Sequence, residues 1–343
     1  MPAGAPLALV IDDASKVGEA RRSAVALARR LGFDETGRGQ LAIVVTEAAT
    51  NLFKHAVGGE LILQGLEAGE AQGLEVLSID RGPGMADIGR CFADGFSTAG
   101  SPGHGLGAIS RLSSSFEIDS GLGVGTVSSA RLWAVASTKA VKLDPVEWGA
   151  VNVPFPGELV SGDAWGIAAD SGQTLIVVAD GLGHGPLAAE ASHAAVRVFH
   201  AKAALGPAGI IGAAHEALRS TRGAAMAVAR LDPARREIVY CGVGNIAGAI
   251  VVPGHGRGSS MVSHNGTVGH TVRKIKEFVY PWEEGSLVIM HSDGLASHWR
   301  LDRRAGLALK HPSLIAGVLY RDSARGRDDV TVLVVRERSE SYP

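Results

Sequence analysis

The sequence predicts an α/β (α+β) chain of two domains, an N-terminal α/β sandwich-like unit followed by a β-rich unit with helices on its outside. Three observations lead there. At 343 residues the chain exceeds one typical domain and suits two. Its first part carries long segments with apolar residues at helical spacing, whereas the later part is a series of short apolar runs punctuated by Asp, Gly and Pro. Between them, "STKAVKLDPVEWGAVNVPFPGE" holds three prolines in a short span, which fits a connection and the entry to a new unit. The expected division is 1–137, a linker at 138–147, and 148–338.

In the first unit, "SKVGEARRSAVALARRLG" predicts a helix over 15–32, with Ser15 able to cap its start and Gly32 to end it. A second helix is expected from about 39 to 56. "ELILQGLE" and "LEVLSID" follow as neighbouring strands separated by the turn-like "AGEAQG", and "DRGPG" stops the second at Asp80. Residues 85–102 are loop-like. "GHGLGAISRLSSSFEI" then restarts a helix and a strand, and "GLGVGTVSSARLWAV" is a turn plus a closing strand. In the second unit, "WGIAAD", "TLIVVAD", "GAAMAVARLD", "EIVYCGVG", "AGAIVV", "SLVIMHSD" and "DVTVLVVR" are strands, interrupted by helices near 187–203 and 207–220.

Composition excludes some functions. A formal net charge of −2, from 33 basic and 35 acidic residues spread along the chain, gives no electrostatic footprint for nucleic acid or an acidic membrane. The N-terminus lacks a basic leader and no apolar run approaches bilayer length, so the cytoplasm is the expected location. Cys91 and Cys241 lie far apart and outside any C-x-x-C pattern, which argues against a disulfide framework or a thiolate zinc site.

Chemistry concentrates in two places. In "VTEAATNLFKHA", Glu47 and Asn51 stand four residues apart, on one face of a helix whose other face is apolar. An acid and an amide there can hold a hydrated magnesium ion or orient a nucleophile, though an exposed i, i+4 pair has the same spacing. Lys54 and His55, just beyond, are solvated helix residues on this reading. Downstream, Asp80 ends a strand in "DRGPGM", where Gly82 and Gly84 allow close approach of a flat ligand, or simply form a turn. In "SPGHGLGAISRL", Gly103, Gly105 and Gly107 lead into a helix whose free N–H groups and dipole favour phosphate.

Taken in order, E-x-x-x-N, D-x-G-x-G, G-x-G-x-G and "GVGT" ending at Thr126 resemble the Bergerat-fold (GHKL) ATP-binding domain of histidine kinases and gyrase. The nearest likeness is to the small anti-sigma-factor and stress-module serine kinases of the RsbW/RsbT type, over roughly residues 10–135. The resemblance implies ATP with Mg2+. It places Asn51 on magnesium, Asp80 on the adenine amine, Gly82 and Gly84 around the base, and Gly103, Gly105 and Gly107 around the phosphates. Thr126 would contact the adenine region and Glu47 would be the general base on a substrate hydroxyl.

The second place is "ADGLGHG". Asp180 follows the apolar run "TLIVVA", and Pro186 then opens a helical pattern rather than a return strand. The glycines therefore make a strand-to-helix turn with Asp180 at its tip, in place of the hairpin that Asp-Gly usually signals. Asp293-Gly294 ends another strand, Asp163 precedes one in "SGDAWG", and Asp328 and Asp329 precede one in "GRDDVTVLVV". One strand-end aspartate is usually a turn former. Four such positions in one unit point to a shared cation site, with oxygen ligands suited to magnesium or manganese.

These four motifs resemble the PP2C-type protein serine/threonine phosphatases of the SpoIIE and RsbX branch, from about 149 to 336. The resemblance implies a two-ion Mn2+ or Mg2+ site in which Asp180 bridges the ions with help from the Gly181 carbonyl. Asp163, Asp293 and Asp328 complete the ligands, and Asp329, where the family often has asparagine, is a neighbour. His184 is assigned to the loop, and the cations of "TVGHTVRKIKEF" to a solvated surface. The implied partner is a phosphorylated STAS-domain protein, an anti-sigma antagonist or a stressosome-like scaffold. Two alternatives stand beside this reading: an N-terminal domain that senses nucleotide or docks partners without catalysis, or a wholly sequestering chain. Oligomeric state is not legible.

Overall fold

The computed structural model describes residues 6–91, 105–134, 145–170, 172–254, 258–302, 304 and 306–338. It divides into two compact units, residues 2–143 and 144–343.

The N-terminal unit is a five-stranded antiparallel sheet in the order Leu7–Val10, Glu60–Ala68, Ala71–Ile79, Gly125–Trp133, Ser115–Gly121. Helices Ala14–Arg30 and Glu35–His55 cover one face. Leu61, Leu63, Leu74, Val76, Ala130 and Leu132 meet Ala20, Ala24, Leu27, Leu41, Val45 and Leu52 in a single buried cluster. Alternation along the strands and four-residue spacing along the helices turn these side chains to one layer. Each fully buried leucine contributes roughly 1.5–3 kcal/mol.

Local chemistry moved several boundaries. Asp13, not Ser15, caps the first helix, its Oδ1 accepting from Ser15 N at 2.6 Å and Lys16 N at 3.2 Å. Asp34 caps the second by accepting from Gly37 N at 2.7 Å, so that helix starts at Glu35 and runs through Gly37 and Gly39. A good cap contributes about 1 kcal/mol, which offsets a helical glycine. The hairpin ladder extends to Ala68 opposite Ala71, leaving a two-residue turn with Gly69 at φ 59° where "AGEAQG" had promised a longer one. The edge strand Leu7–Val10 was not foreseen, because four residues carry too little pattern.

The C-terminal unit packs two sheets face to face, antiparallel throughout except where Ser263–His264 joins the edge of the first in parallel. One runs Ser263–His264, Glu237–Val243, Ala224–Asp232, Gln173–Gly181, Asp163–Asp170, with Phe278–Pro281 also paired to Glu237–Val243. The other runs Ser259–Met261, Ala247–Val251, Leu287–His291, Val330–Glu337, Val146–Val153. Ile176, Val178, Ala227 and Tyr240 meet Ala150, Val288, Met290 and Leu333 between them. On the outer face of the first sheet, Leu175, Val177, Met226 and Val228 pack on Phe199, Ile210 and Ala214 of helices Pro186–Ala201 and Gly206–Ala217. Strands covered on both faces carry continuous apolar runs such as "TLIVVA" instead of alternating ones.

Two elements correct the sequence reading. Val146–Val153, expected in part as linker, is an edge strand paired with Val330–Glu337, and prolines at 145, 154 and 156 bracket it without interrupting it. The strand thus begins inside the expected 138–147 connection, while 138–144 lie outside the described residues. Pro312–Ser323 is a third helix with no amphipathic stripe, since residues 312–321 are all buried. It rests on the strand backbone: a Cβ on Gly149 would lie 2.1 Å from Ser313 N, so only glycine fits.

Among the described residues no helix is long and apolar enough to cross a membrane. Cys241 is buried and unpaired, and burial pushes its thiol up to about 11; the Cys91 side chain lies outside the described residues.

Candidate functional site

The acidic motifs converge because of strand register. Asp163 and Asp180 face one another across neighbouring antiparallel strands, and Gly181 N donates to Gly162 O at 3.1 Å. Helix Pro186–Ala201 then turns back onto Gly181, where a Cβ would sit 2.0 Å from Ala188 O. Gly294 likewise leaves room for the Asp329 carbonyl, 2.0 Å from where its Cβ would be, which draws the Asp293 turn against the 328–329 turn. Both glycines are required by close backbone approach.

Asp163 is 2% exposed, and neither of its carboxylate oxygens has a hydrogen-bond partner of ordinary geometry, although the Ser292 and Thr331 hydroxyls lie near enough to favour its ionised form. Burial, with the charges of Asp329 and Asp328 adding to it, pushes its carboxyl up to about 7. Partly buried Asp180 is pushed up to about 9, again by burial first and then by Asp163, Asp293, Asp328 and Asp329. Asp328 and Asp329 are raised in the same direction, chiefly by burial. A buried carboxylate with orphaned oxygens among like charges is costly unless a cation joins it.

Among the described residues no three His, Cys, Asp or Glu side chains are drawn tightly enough together to enclose one ion. Magnesium keeps several waters and takes one or two carboxylates, so a two-ion site does not need three converged side chains. The donor set, acidic oxygens without histidine or thiolate, fits hard divalent ions.

The structure adds one residue that the sequence reading missed and details two that it named. Asn245 Nδ2 donates to Asp293 Oδ2 at 2.7 Å from the loop after Glu237–Val243, and only its place at a strand end within "GVGN" could have signalled it. Asp329, read as a neighbour, is 3% exposed. Its Oδ1 accepts from Phe155 N at 2.8 Å, and its Oδ2 lies 2.6 Å from the position a Cβ on Gly162 would take. His184 is held in its loop by Glu158, Nδ1 to Oε1 2.8 Å, and stacks on Phe155 with ring centroids 4.4 Å apart.

In the N-terminal unit, Glu47 and Asn51 are brought to the start of the helix Gly105–Leu112: a Cβ on Gly105 would lie 3.2 Å from Glu47 Oε2 and 3.4 Å from Asn51 Oδ1. Gly105 and buried Gly107 sit in the first turn, where N–H groups lack helical partners. Gly103 lies outside the described residues, as does 92–102 of the expected closing segment. Asp80 and Thr126 are neighbours, with Asp80 N donating to Thr126 O at 2.8 Å. Asp80 Oδ1 accepts from Gly82 N at 2.6 Å, and Thr126 Oγ1 lies 2.9 Å from Ser120 Oγ. Gly84, at φ 68°, allows backbone contact with the 121–125 turn, a Cβ there falling 2.0 Å from Gly121 O. Lys54 and His55 are exposed.

Comparison with known proteins reproduces this division. Residues 170–338 match the family "Stage II sporulation protein E (SpoIIE)", and residues 11–132 match "Histidine kinase-like ATPase domain". "Serine/threonine-protein kinase RsbT" of Bacillus subtilis (strain 168) is 33% identical over 107 residues, covering 31% of this chain and 80% of the relative. "Phosphoserine phosphatase RsbX" of the same organism is 31% identical over 139 residues, covering 40% of this chain and 69% of the relative. A solved structure described as "The bacterial stressosome: a modular system that has been adapted to control secondary messenger signaling" is similar at TM-score 0.52 and 28% identity. It covers 56% of this chain and 99% of its own.

Proposed function

The chain belongs to the SpoIIE family of PP2C-type serine/threonine phosphatases through its C-terminal half and to the histidine kinase-like ATPases through its N-terminal half, and on that premise we propose that it dephosphorylates regulatory proteins in partner switching. The substrate is a phosphoserine- or phosphothreonine-bearing STAS-domain, anti-sigma antagonist or stressosome-like protein in the cytoplasm. The similarity to a phosphoserine phosphatase and to a stressosome structure supports this choice. The observation that carries the phosphatase reading is the opposed pair Asp163 and Asp180, whose carboxyls burial first and then the charges of neighbouring aspartates raise to about 7 and about 9.

Asp180, the Gly181 carbonyl, Asp163, Asp293 and Asp328 hold two manganese or magnesium ions on this reading. When bound, the ions neutralise phosphoryl oxygens and acidify a water for in-line attack. Asp180 and Asp163 supply the negative charge that retains the ions, and Asn245 fixes the Asp293 carboxylate through its 2.7 Å hydrogen bond. Asp329 anchors the loop at Phe155 by accepting from its backbone N–H.

The N-terminal half binds Mg-ATP, with Asn51 on the metal, Asp80 and Thr126 at the base and the first-turn amides of Gly105 and Gly107 on phosphate. On this reading Glu47 takes a proton from a substrate hydroxyl and this half phosphorylates the same class of partner, which the proximity of Glu47 and Asn51 to Gly105 supports.

Two assays test the proposal. Manganese-dependent hydrolysis of an aryl phosphate, lost in Asp180→Asn, is the expected result, and hydrolysis that survives that substitution removes the site assignment. Labelled ATP incubated with STAS-domain proteins tests the kinase half, and phosphorylation unchanged in Glu47→Ala removes the base.

A further inference from the structure

The two loops that build the mouth of the acidic site also expose aliphatic side chains to an unusual degree. Leu159 is 97% exposed and Val160 41% in the loop before Asp163, while Leu182 is 43% and Leu187 53% exposed across the turn after Asp180. The loops interlock. Glu158 Oε1 bonds His184 Nδ1 at 2.8 Å, and a Cβ on Gly185 would lie 2.9 Å from the same oxygen. A Cβ on Gly162 would lie 2.9 Å from Ala188 Cβ. The four aliphatics therefore belong to one rim, tied by backbone and side-chain contacts to the carboxylates it surrounds. Exposed aliphatics scattered singly are normal on any surface, but a group of them at the mouth of a polar site marks a place where another chain can sit.

A cation completes the rim. Arg222 is exposed, and among the described residues it makes no hydrogen bond or ion pair. Its Nη1 lies 2.9 Å from where a Cβ on Gly183 would be, and Leu182 N donates to Gly223 O at 3.0 Å, fixing the Arg222 segment beside the turn. An uncommitted guanidinium suits a doubly charged phosphate, and aliphatic flanks suit neighbouring side chains of the chain that carries it.

We propose that this rim docks the phosphoprotein substrate through leucine-like residues flanking its phosphoserine, with Leu159 and Leu187 as the main contacts and Arg222 steering the phosphate. The inference rests on the phosphatase reading above. It adds the sequence preference that the carboxylates alone do not provide.

The full chain, assayed with manganese, is tested on three probes: p-nitrophenyl phosphate, a nonapeptide with leucine on both sides of phosphoserine, and the same peptide with serine in those places. The wild type is expected to favour the leucine peptide about tenfold in kcat/KM. The double variant Leu159→Ser/Leu187→Ser is expected to treat both peptides alike while hydrolysing p-nitrophenyl phosphate as before, and Arg222→Ala to weaken KM for both. Val262→Ser, altering an exposed aliphatic outside these loops, is expected to keep the preference. Equal turnover of the two peptides by the wild type, no peptide turnover beside active p-nitrophenyl phosphate hydrolysis, or a preference that survives the double variant overturns the docking rim. Rim variants that convert a sedimenting dimer to monomer without changing peptide kinetics assign the patch to a second copy and also overturn it. Loss of all three substrates in the wild type overturns the phosphatase reading instead.

Discussion

Replacing Asp163 with asparagine is expected to stabilise the metal-free protein. The wild-type carboxyl moves from an ordinary value of 3.8 to about 7 on folding, principally through burial, so the folded state binds its proton more tightly than the unfolded state does. Stability from this group is therefore fully present below pH 3.8, and is lost as pH rises toward about 7. Asp180 extends the decline toward about 9. A shift of about three units, at 1.36 kcal/mol each, amounts to about 4 kcal/mol at pH 8 in EDTA. Asparagine carries no such cost, and for a unit of this size about 4 kcal/mol corresponds to roughly 8–16 °C in melting temperature. Tryptophan fluorescence suits the measurement, since Trp148, Trp165, Trp282 and Trp299 lie in the C-terminal unit against Trp133 in the other. Melting between pH 5 and 9 in EDTA should show the gap between variant and wild type widening up to about pH 7 and then levelling. Manganese should raise the wild type far more than the variant. A variant that melts at or below the wild type in EDTA at pH 8, or a wild-type curve flat across that range, refutes the reasoning.

Gly149→Ala should cost about 1–3 kcal/mol in urea unfolding, because the new Cβ meets Ser313 N at 2.1 Å and the helix Pro312–Ser323 must shift. Asn245→Ala should raise the manganese concentration for half-maximal aryl phosphate hydrolysis by roughly 10–100-fold, since Asp293 loses the amide that orients it. Mg-ATP at a hundred times its Kd should stabilise the N-terminal unit by about 2.7 kcal/mol, an effect that Asn51→Ala abolishes; calorimetry of both proteins checks it. Asp13→Ala should destabilise the same unit through loss of the cap on Ala14–Arg30, read as a lower denaturation midpoint.

Several candidate motif residues were legible as positions at element ends. Asp180 and Asp293 could be placed at strand ends because an apolar run that stops at an Asp-Gly step marks where a strand gives way to a turn. Glu47 and Asn51 could be placed on one helical face from their spacing alone. The short edge strand Leu7–Val10 and the helix Pro312–Ser323, buried from Pro312 to Arg321, were not legible, the first because four residues hold too little period and the second because burial on every side of those turns erases it. Asn245 escaped because its role depends on a partner 48 positions away, and a polar residue in a glycine loop is ordinary until that partner is known.

By itself the sequence determined most of the elements and their order, the two-part division and the acidic and glycine-rich motifs at element ends. These follow from local periodicity, capping and turn chemistry, which act over a few residues. Tertiary structure alone decided which acidic groups share a field: register sets Asp163 opposite Asp180, and the missing side chain of Gly294 lets the 293 and 329 turns close on each other. It also decided most of their proton affinities, because desolvation, the largest cause in each case, depends on everything packed around a carboxyl and not only on its neighbours along the chain.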